Sequence, residues 1–230
     1  MDILRFKQNL IPLLTSSDGD GPFQFNRMAM RGMSSPRTAK ILNFGAICAS
    51  NGEFYLEIGT FSGYTLLSAA YQNNTLCIGV DDFSLKDVYK NAGSSEITNF
   101  VREALNRNIL QFGGGNVQFV EADFRKIVIP DDKKGKLAVF FIDGTHDYEN
   151  VDQAIRQFEP LLADDAVVVF DDASIRDIPK KIQELWQSGH YDLLFFGKHE
   201  LNETEKTAHM GMPLNPVVAN GLAVMHYHRN

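Results

Sequence analysis

The stretch Phe54-Tyr-Leu-Glu-Ile-Gly-Thr-Phe-Ser-Gly-Tyr-Thr65 constrains this chain more than any other. Its first half is apolar and aromatic, which predicts a buried strand. Gly59 and Gly63 then make a turn, and a helix is predicted from about Ser62 through Tyr64, Leu66, Leu67, Ala69 and Ala70. A strand, a glycine turn and a helix N-terminus together let backbone approach a ligand closely. Glu57 stands at the strand's end, where a carboxylate suits a cationic or hydroxyl-bearing ligand better than a bare phosphate. The stretch is neither G-x-G-x-x-G nor G-x-x-x-x-G-K-[ST], which counts against a dinucleotide site and against a P-loop.

The same alternation continues down the chain. Thr75–Asp82, Val117–Asp123, Leu137–Asp143 and Ala166–Asp172 read as strands. Helical periods fall between them, as in Ile97, Phe100, Val101, Ala104 and Leu105, or in Val151, Ala154, Ile155, Phe158, Leu161 and Leu162. Upstream, Ser35-Pro36 predicts a cap and first-turn proline for a helix carrying Ile41, Phe44 and Cys48 and stopping near Asn51-Gly52. Pro179 fits the first turn of another helix, with Ile182, Leu185 and Trp186. Repeated strand–helix units predict an α/β fold, a parallel sheet covered on both faces. The last two apolar runs, Tyr191–Phe196 and Leu222–Tyr227, have no helical pattern between them and read as an antiparallel pair. The polar stretch from Lys198 to Asn220 is long enough to expect a lid or binding loop. Residues 1–35 carry weak signals and read as an N-terminal segment able to cap a substrate, with the apolar run Met28–Met33 within it; residues 36–230 form the main domain.

Composition narrows the function. A chain of 230 residues with 44% hydrophobic and 22% charged residues can build one sizeable core. Its net charge of −7 argues against a nucleic-acid partner, which needs a clustered basic face. No apolar run is long enough to cross a membrane, and the scattered charges of Met1–Asn9 do not make a signal peptide. Cys48 and Cys77 lie in apolar patterns and read as buried reduced thiols, so the expected location is cytoplasmic. A homodimer is left open.

Acids collect at the predicted strand ends: Glu57, Asp81 and Asp82, Asp123, Asp143, Asp171 and Asp172. In an open α/β sheet that edge is where ligands bind. A single acid there is commonly a cap or turn residue, but five strands in succession ending in acid call for more. The carboxylate of Asp81, or of Asp82 beside it, could accept two hydrogen bonds from a diol. Asp143, Asp171 and Asp172 belong to strands expected to be neighbours. Gathered in a cleft they would repel one another, and a divalent cation would relieve that. Oxygen-only ligation suits Mg²⁺, Mn²⁺ or Ca²⁺ rather than zinc. His226 and His228 alternate on one strand face and read as solvated or hydrogen-bonded; His190, His199 and His209 fall in turns or the long loop.

The pattern Glu57-x-Gly59-x-x-x-Gly63 resembles the first motif of class I S-adenosylmethionine-dependent methyltransferases, and the Gly-Tyr-Thr version resembles the small-molecule O-methyltransferases. The resemblance runs from about residue 36 to the end. It implies a Rossmann-like, mostly parallel seven-stranded sheet of order 3-2-1-4-5-7-6 with a C-terminal antiparallel hairpin. It also implies donor contacts from Glu57, Gly59, Thr60, Phe61, Gly63, Tyr64, Thr65, Asp81 and Asp143. Asp123 resembles the acid that meets the adenine amino group, with Phe124 packing on the ring. Asp143-Gly-Thr-His-Asp-Tyr148 and Phe170-Asp-Asp172 resemble a metal-dependent group that includes macrolide-sugar O-methyltransferases. There, the first acid and an acidic pair after strand five bind Mg²⁺, and the histidine is the base, which implies Asp143, Asp171 and Asp172 as ligands and His146 as base. The pair is often Glu-Asp in that group, and Asp171 is one methylene shorter. The expected activity is metal-assisted methyl transfer from S-adenosylmethionine to a hydroxyl of a small molecule. The alternatives are a metal-free methyltransferase, a non-catalytic donor-binding module, or a hydrolytic or oxygenase-like enzyme reusing the metal site.

Overall fold

A computed structural model describes residues 1–16, 22–23, 29–30, 32–84, 94–128, 130–144, 147–197 and 221–229. The apolar runs become β1 (Phe54–Ile58), β2 (Leu76–Asp81), β3 (Val117–Glu121), β4 (Leu137–Ile142), β5 (Leu162–Phe170), β6 (Tyr191–Gly197) and β7 (Leu222–His228). They form one seven-stranded sheet in the order β3-β2-β1-β4-β5-β7-β6. The first five strands are parallel; β7 runs antiparallel to both β5 and β6. Architecture and order are those that the resemblance implied.

Six helices cover the sheet among the described residues: α1 (Ile3–Thr15), α2 (Pro36–Ile47), α3 (Tyr64–Ala69), α4 (Ser94–Phe112), α5 (Tyr148–Phe158) and α6 (Ile178–Gln187). Side chains alternate across each strand, so neighbours in sequence feed opposite layers. Leu56, Phe140, Val168 and Phe170 pack with α5 and α6 through Val151, Ile155, Phe158, Ile182 and Leu185. Tyr55, Val139, Phe141, Val167 and Val169 pack with α1, α2 and α3 through Phe6, Leu10, Ile41, Leu42 and Leu66. β4 is buried at every position, as a central parallel strand is. Each such side chain contributes about 1.5–3 kcal/mol through burial.

Some boundaries differ from expectation. α1 was not anticipated. Asp2 caps it by accepting from the Arg5 amide, and Phe6 and Leu10 bury its inner face. Pro12 inside it breaks the pattern that would have announced it. α5 ends at Phe158, so Leu161 and Leu162 do not extend it as expected: Leu161 closes a short 3-10 turn with Pro160, and β5 begins at Leu162, four residues before the expected Ala166, because Leu162 pairs with Leu137 ahead of an irregularity in register. α2 ends at Ile47 rather than near Asn51-Gly52, and α3 starts at Tyr64 rather than Ser62. The long loop from Lys198 to Asn220 lies outside the described residues. Cys48 and Cys77 are buried free thiols, and no helix among the described residues is long and apolar enough to cross a membrane. His226, read only as solvated or hydrogen-bonded, is buried between Asp165 and Asp192, at 2.8 Å and 3.3 Å.

α3 has only six residues, too few to sustain itself. Asn43 of α2 supports its far end. The Asn43 amide donates to the carbonyls of Ser68, Ala69 and Tyr71 at 3.0, 3.2 and 2.8 Å. Ser68 and Ala69 are among the last carbonyls of the helix, which have no intrahelical partners, and Asn73 shares the Ala69 and Tyr71 carbonyls. Asn43→Ala should therefore lower the unfolding free energy by about 1–3 kcal/mol. In urea titration the midpoint should fall at unchanged slope.

Candidate active site

The sheet reverses its direction of growth between β1 and β4, and ligands bind outside the carboxyl ends of the strands at such a switch point. The turn after β1 occupies that place. Gly59 and Gly63 both have φ +90°, the left-handed region that side chains disfavour. A Cβ at Gly59 would run into the Asp143 carbonyl oxygen beyond β4. Backbone thus passes backbone, and the Asp143 amide bonds to the Ile58 carbonyl at 2.9 Å. Gly63 supplies the cap position of α3, so the helix amides open onto the turn.

Three of the five described non-glycine residues with positive φ stand at this edge: Phe61 after β1, Phe83 after β2 and Asp172 after β5, at 48°, 51° and 50°. Such conformations cost on the order of 1–3 kcal/mol each and cluster where function over-determines the backbone. Asp81 at the end of β2 explains two of them. Its Oδ2 accepts from the Phe61 amide at 2.8 Å and its Oδ1 from the Phe83 amide at 2.7 Å. Burial pushes the Asp81 carboxyl up, and those two amides pull against it. The Thr60 amide also pulls on it, so the acid ties the turn to β2, and the carboxylate's lone pairs leave room for a further donor. Asp82 is exposed and accepts from the Ser84 amide at 2.9 Å.

Glu57 lies beneath the turn and is fully buried, at 0% exposure. Its Oε2 accepts from the Tyr55 hydroxyl at 2.6 Å and its Oε1 from the Thr65 hydroxyl at 3.2 Å. Burial pushes the carboxyl up to about 7 against the pull of these hydroxyls. Thr60 and Tyr64 are buried as well, at 2% exposure each, and Phe61 is half-buried. Asp123, beyond β3, is held in a two-pronged ion pair by Arg125 at 2.8 Å and 2.8 Å, which keeps its carboxyl below the usual range. Phe124 beside it packs against Phe158.

Asp143 and Asp171 meet at the ends of β4 and β5. Burial raises both carboxyls, and the hydrogen bond between them raises Asp143 further while pulling Asp171 down. Burial, followed by the charges of Asp171, Asp172 and Glu57, pushes Asp143 well above the ordinary carboxylate range. Burial also raises Asp171 and Asp172. The three-carboxylate cation site expected from the sequence is not assembled: among the described residues no group of three or more His, Cys, Asp and Glu side chains is placed to hold a metal ion. The Arg176 charge pulls the Asp172 carboxyl down against its burial. The oxygen-only donor set has the chemistry of a hard cation, but the described residues do not by themselves form a group that would hold one. Thr145 and His146, the expected base, lie outside the described residues; Asp147 after them caps α5 by accepting from the Asn150 amide at 2.9 Å.

Sequence reasoning passed over two residues that build this site. Tyr55 looked like one more core aromatic; its position two before Glu57, on the same strand face, was the available signal. Asn108 of α4 is buried and donates to the Ser62 carbonyl at 2.8 Å and the Met30 carbonyl at 3.5 Å. A lone amide in a helix offers no sequence signal of that kind. Tyr64 extends the same link to the N-terminal segment, donating to the Phe23 carbonyl at 3.1 Å, and Gly32 packs against its Cβ.

A family model described as a methyltransferase domain matches residues 56–173, from the middle of β1 to just beyond β5. The chain belongs to that family, the class I S-adenosylmethionine-dependent methyltransferases. Solved structures share the fold. YcgJ from Bacillus subtilis is 13% identical with a TM-score of 0.53, covering 84% of this chain and 98% of that one. TrmK from M. capricolum, solved with the cofactor product S-adenosylhomocysteine, is 13% identical with a TM-score of 0.52, covering 86% and 70%. A precorrin-6y C5,15-methyltransferase from Geobacter metallireducens is 15% identical with a TM-score of 0.54, covering 85% and 90%. No curated protein matches the chain.

Two outcomes test this geometry. Gly59→Val should abolish donor binding by forcing β1 away from Asp143, and calorimetry with S-adenosylhomocysteine checks it. The second concerns Glu57. A carboxyl with a folded-state pKa above its ordinary value holds its proton more tightly when folded. The stability this gives is full below 4.5 and lost as pH rises to about 7. One such proton gives a slope of at most about 1.4 kcal/mol per pH unit. Unfolding free energies measured across that window should fall with pH in the wild type and fall less in Glu57→Gln. Asp143 and Asp171 keep part of the slope, since both are raised as well.

Proposed function

We propose that this methyltransferase moves the sulfonium methyl of S-adenosylmethionine to a hydroxyl of a small molecule. One observation carries the reading: Gly59 is packed against Asp143, so the turn that would hold the donor's methionine end abuts the acids that follow β4 and β5. A hydroxyl needs a proton acceptor as it attacks the methyl carbon, and this edge of the sheet supplies several oxygens. The residues divide the work. Gly59 and Gly63 admit the donor to backbone; Asp81 meets the ribose diol; Asp123, fixed by Arg125, faces the adenine amino group. His146, three residues beyond Asp143, would take the proton. The net charge of −7 favours a small acceptor over a nucleic acid.

Metal assistance is the finer reading. The oxygen-only acids after β4 and β5 support it, and the roles above belong to the chain's own residues. The test is transfer of a labelled methyl group from S-adenosylmethionine to a panel of phenols, catechols and sugar diols. We expect label in at least one hydroxylated acceptor, and turnover lowered about 10²–10⁴-fold in His146→Gln with donor affinity unchanged. Label found only in nitrogen or carbon acceptors would overturn the O-methylation reading. Full turnover after exhaustive chelation would overturn metal assistance alone.

A further inference from the structure

Tyr55 and Glu57 are both fully buried on the face of β1 that lies under α2 and α3. The Tyr55 hydroxyl donates to Glu57 Oε2 at 2.6 Å, and the Thr65 hydroxyl, from the first turn of α3, donates to Oε1 at 3.2 Å. Each carboxylate oxygen therefore has a fixed hydroxyl donor, and the Thr60 hydroxyl at the turn also pulls the carboxyl down. One fixed donor comes from the strand before the turn and the other from the helix after it. A carboxylate shut away from water is costly without a partner charge, and the charges bearing on this one are carboxyls, Asp81 and Asp143. A cationic ligand on the turn above would supply what the protein does not.

We propose that Tyr55 is a positioning residue which, together with Thr65, holds Glu57 beneath the turn as the buried counter-charge to the ammonium group at the methionine end of the donor. The proposal rests on the donor-site reading given above. Glu57 acts across the turn, without touching the ligand. In a site of low effective dielectric its charge is felt over several ångströms. Both hydroxyls lock its direction. Replacing Tyr55 by Phe keeps the ring and its packing and removes only the donor that fixes Oε2.

Two probes separate this role from a general packing role. S-adenosylhomocysteine carries the ammonium and carboxylate; 5′-methylthioadenosine has the same nucleoside and a thioether but neither charged group. Calorimetry is done above about pH 8, where a carboxyl pushed up to about 7 is ionised. In Tyr55→Phe, S-adenosylhomocysteine should bind about tenfold more weakly. Methylthioadenosine should stay within about twofold of wild type. Thr65→Val should act in the same direction. In a Glu57→Gln background, Tyr55→Phe should cost nothing more. This cycle decides the matter even where methylthioadenosine binds too weakly to measure. Equal losses for the two ligands, or additive losses in the cycle, would overturn the role of Tyr55. A wild-type protein that binds neither S-adenosylmethionine nor S-adenosylhomocysteine would instead sink the donor-site reading, and the proposal with it.

Discussion

Backbone meets backbone where Gly59 passes the carbonyl of Asp143. That contact lies between β1 and β4, the two strands on either side of the point where the sheet changes direction. No side chain fits there, so the two loops can close on each other only with glycine at this position. The rest of the site follows from that approach. The turn has to leave β1 with positive φ, α3 has to begin at Gly63, and the acids after β4 and β5 are brought against the turn instead of standing apart from it.

The acids themselves do more than await a ligand. Asp81 uses both oxygens on the Phe61 and Phe83 amides and so stabilises two left-handed residues. Asp123 caps a short helical turn and is gripped by Arg125. Asp143 and Asp171 lie against one another, both raised by burial. In each case the carboxylate shapes the cleft wall before any ligand arrives. An acid at a strand end can thus be a turn residue and a ligand-facing group at once, because a carboxylate has more lone pairs than one backbone amide can use.

The sheet was legible in the sequence because its signals are local and repeated. Each of the five parallel strands is an apolar run closed by an acid or a glycine turn, and helical periods separate them. The strand order came from the likeness of two short motifs to a family, since periodicity does not carry order. α1 was hidden because Pro12 interrupts it and because its apolar face, Phe6 and Leu10, has meaning only once the sheet is there to receive it. The extra length of β5 depended on the pairing of Leu162 with Leu137, a contact across 25 residues of chain. Residue types at the site were readable; their commitments were not. Nothing in the order of residues shows that Glu57 points inward to Tyr55 and Thr65, or that Asp143 bonds to Asp171 and leaves no three-ligand set among the described residues.

The support that Asn43 gives to α3 has a consequence for how the molecule comes apart. α3 carries one wall of the turn after β1 at its start, and α2 holds it at its end. A helix of under two turns has no cooperativity of its own, so it cannot open and close independently of what grips it. α2, α3 and the turn therefore belong to one cooperative unit. Loosening of α2 would take the turn after β1 with it and would also uncover the face of β4 and β5 on which Ile41 and Leu42 pack. That turn and one layer of the core are therefore lost together.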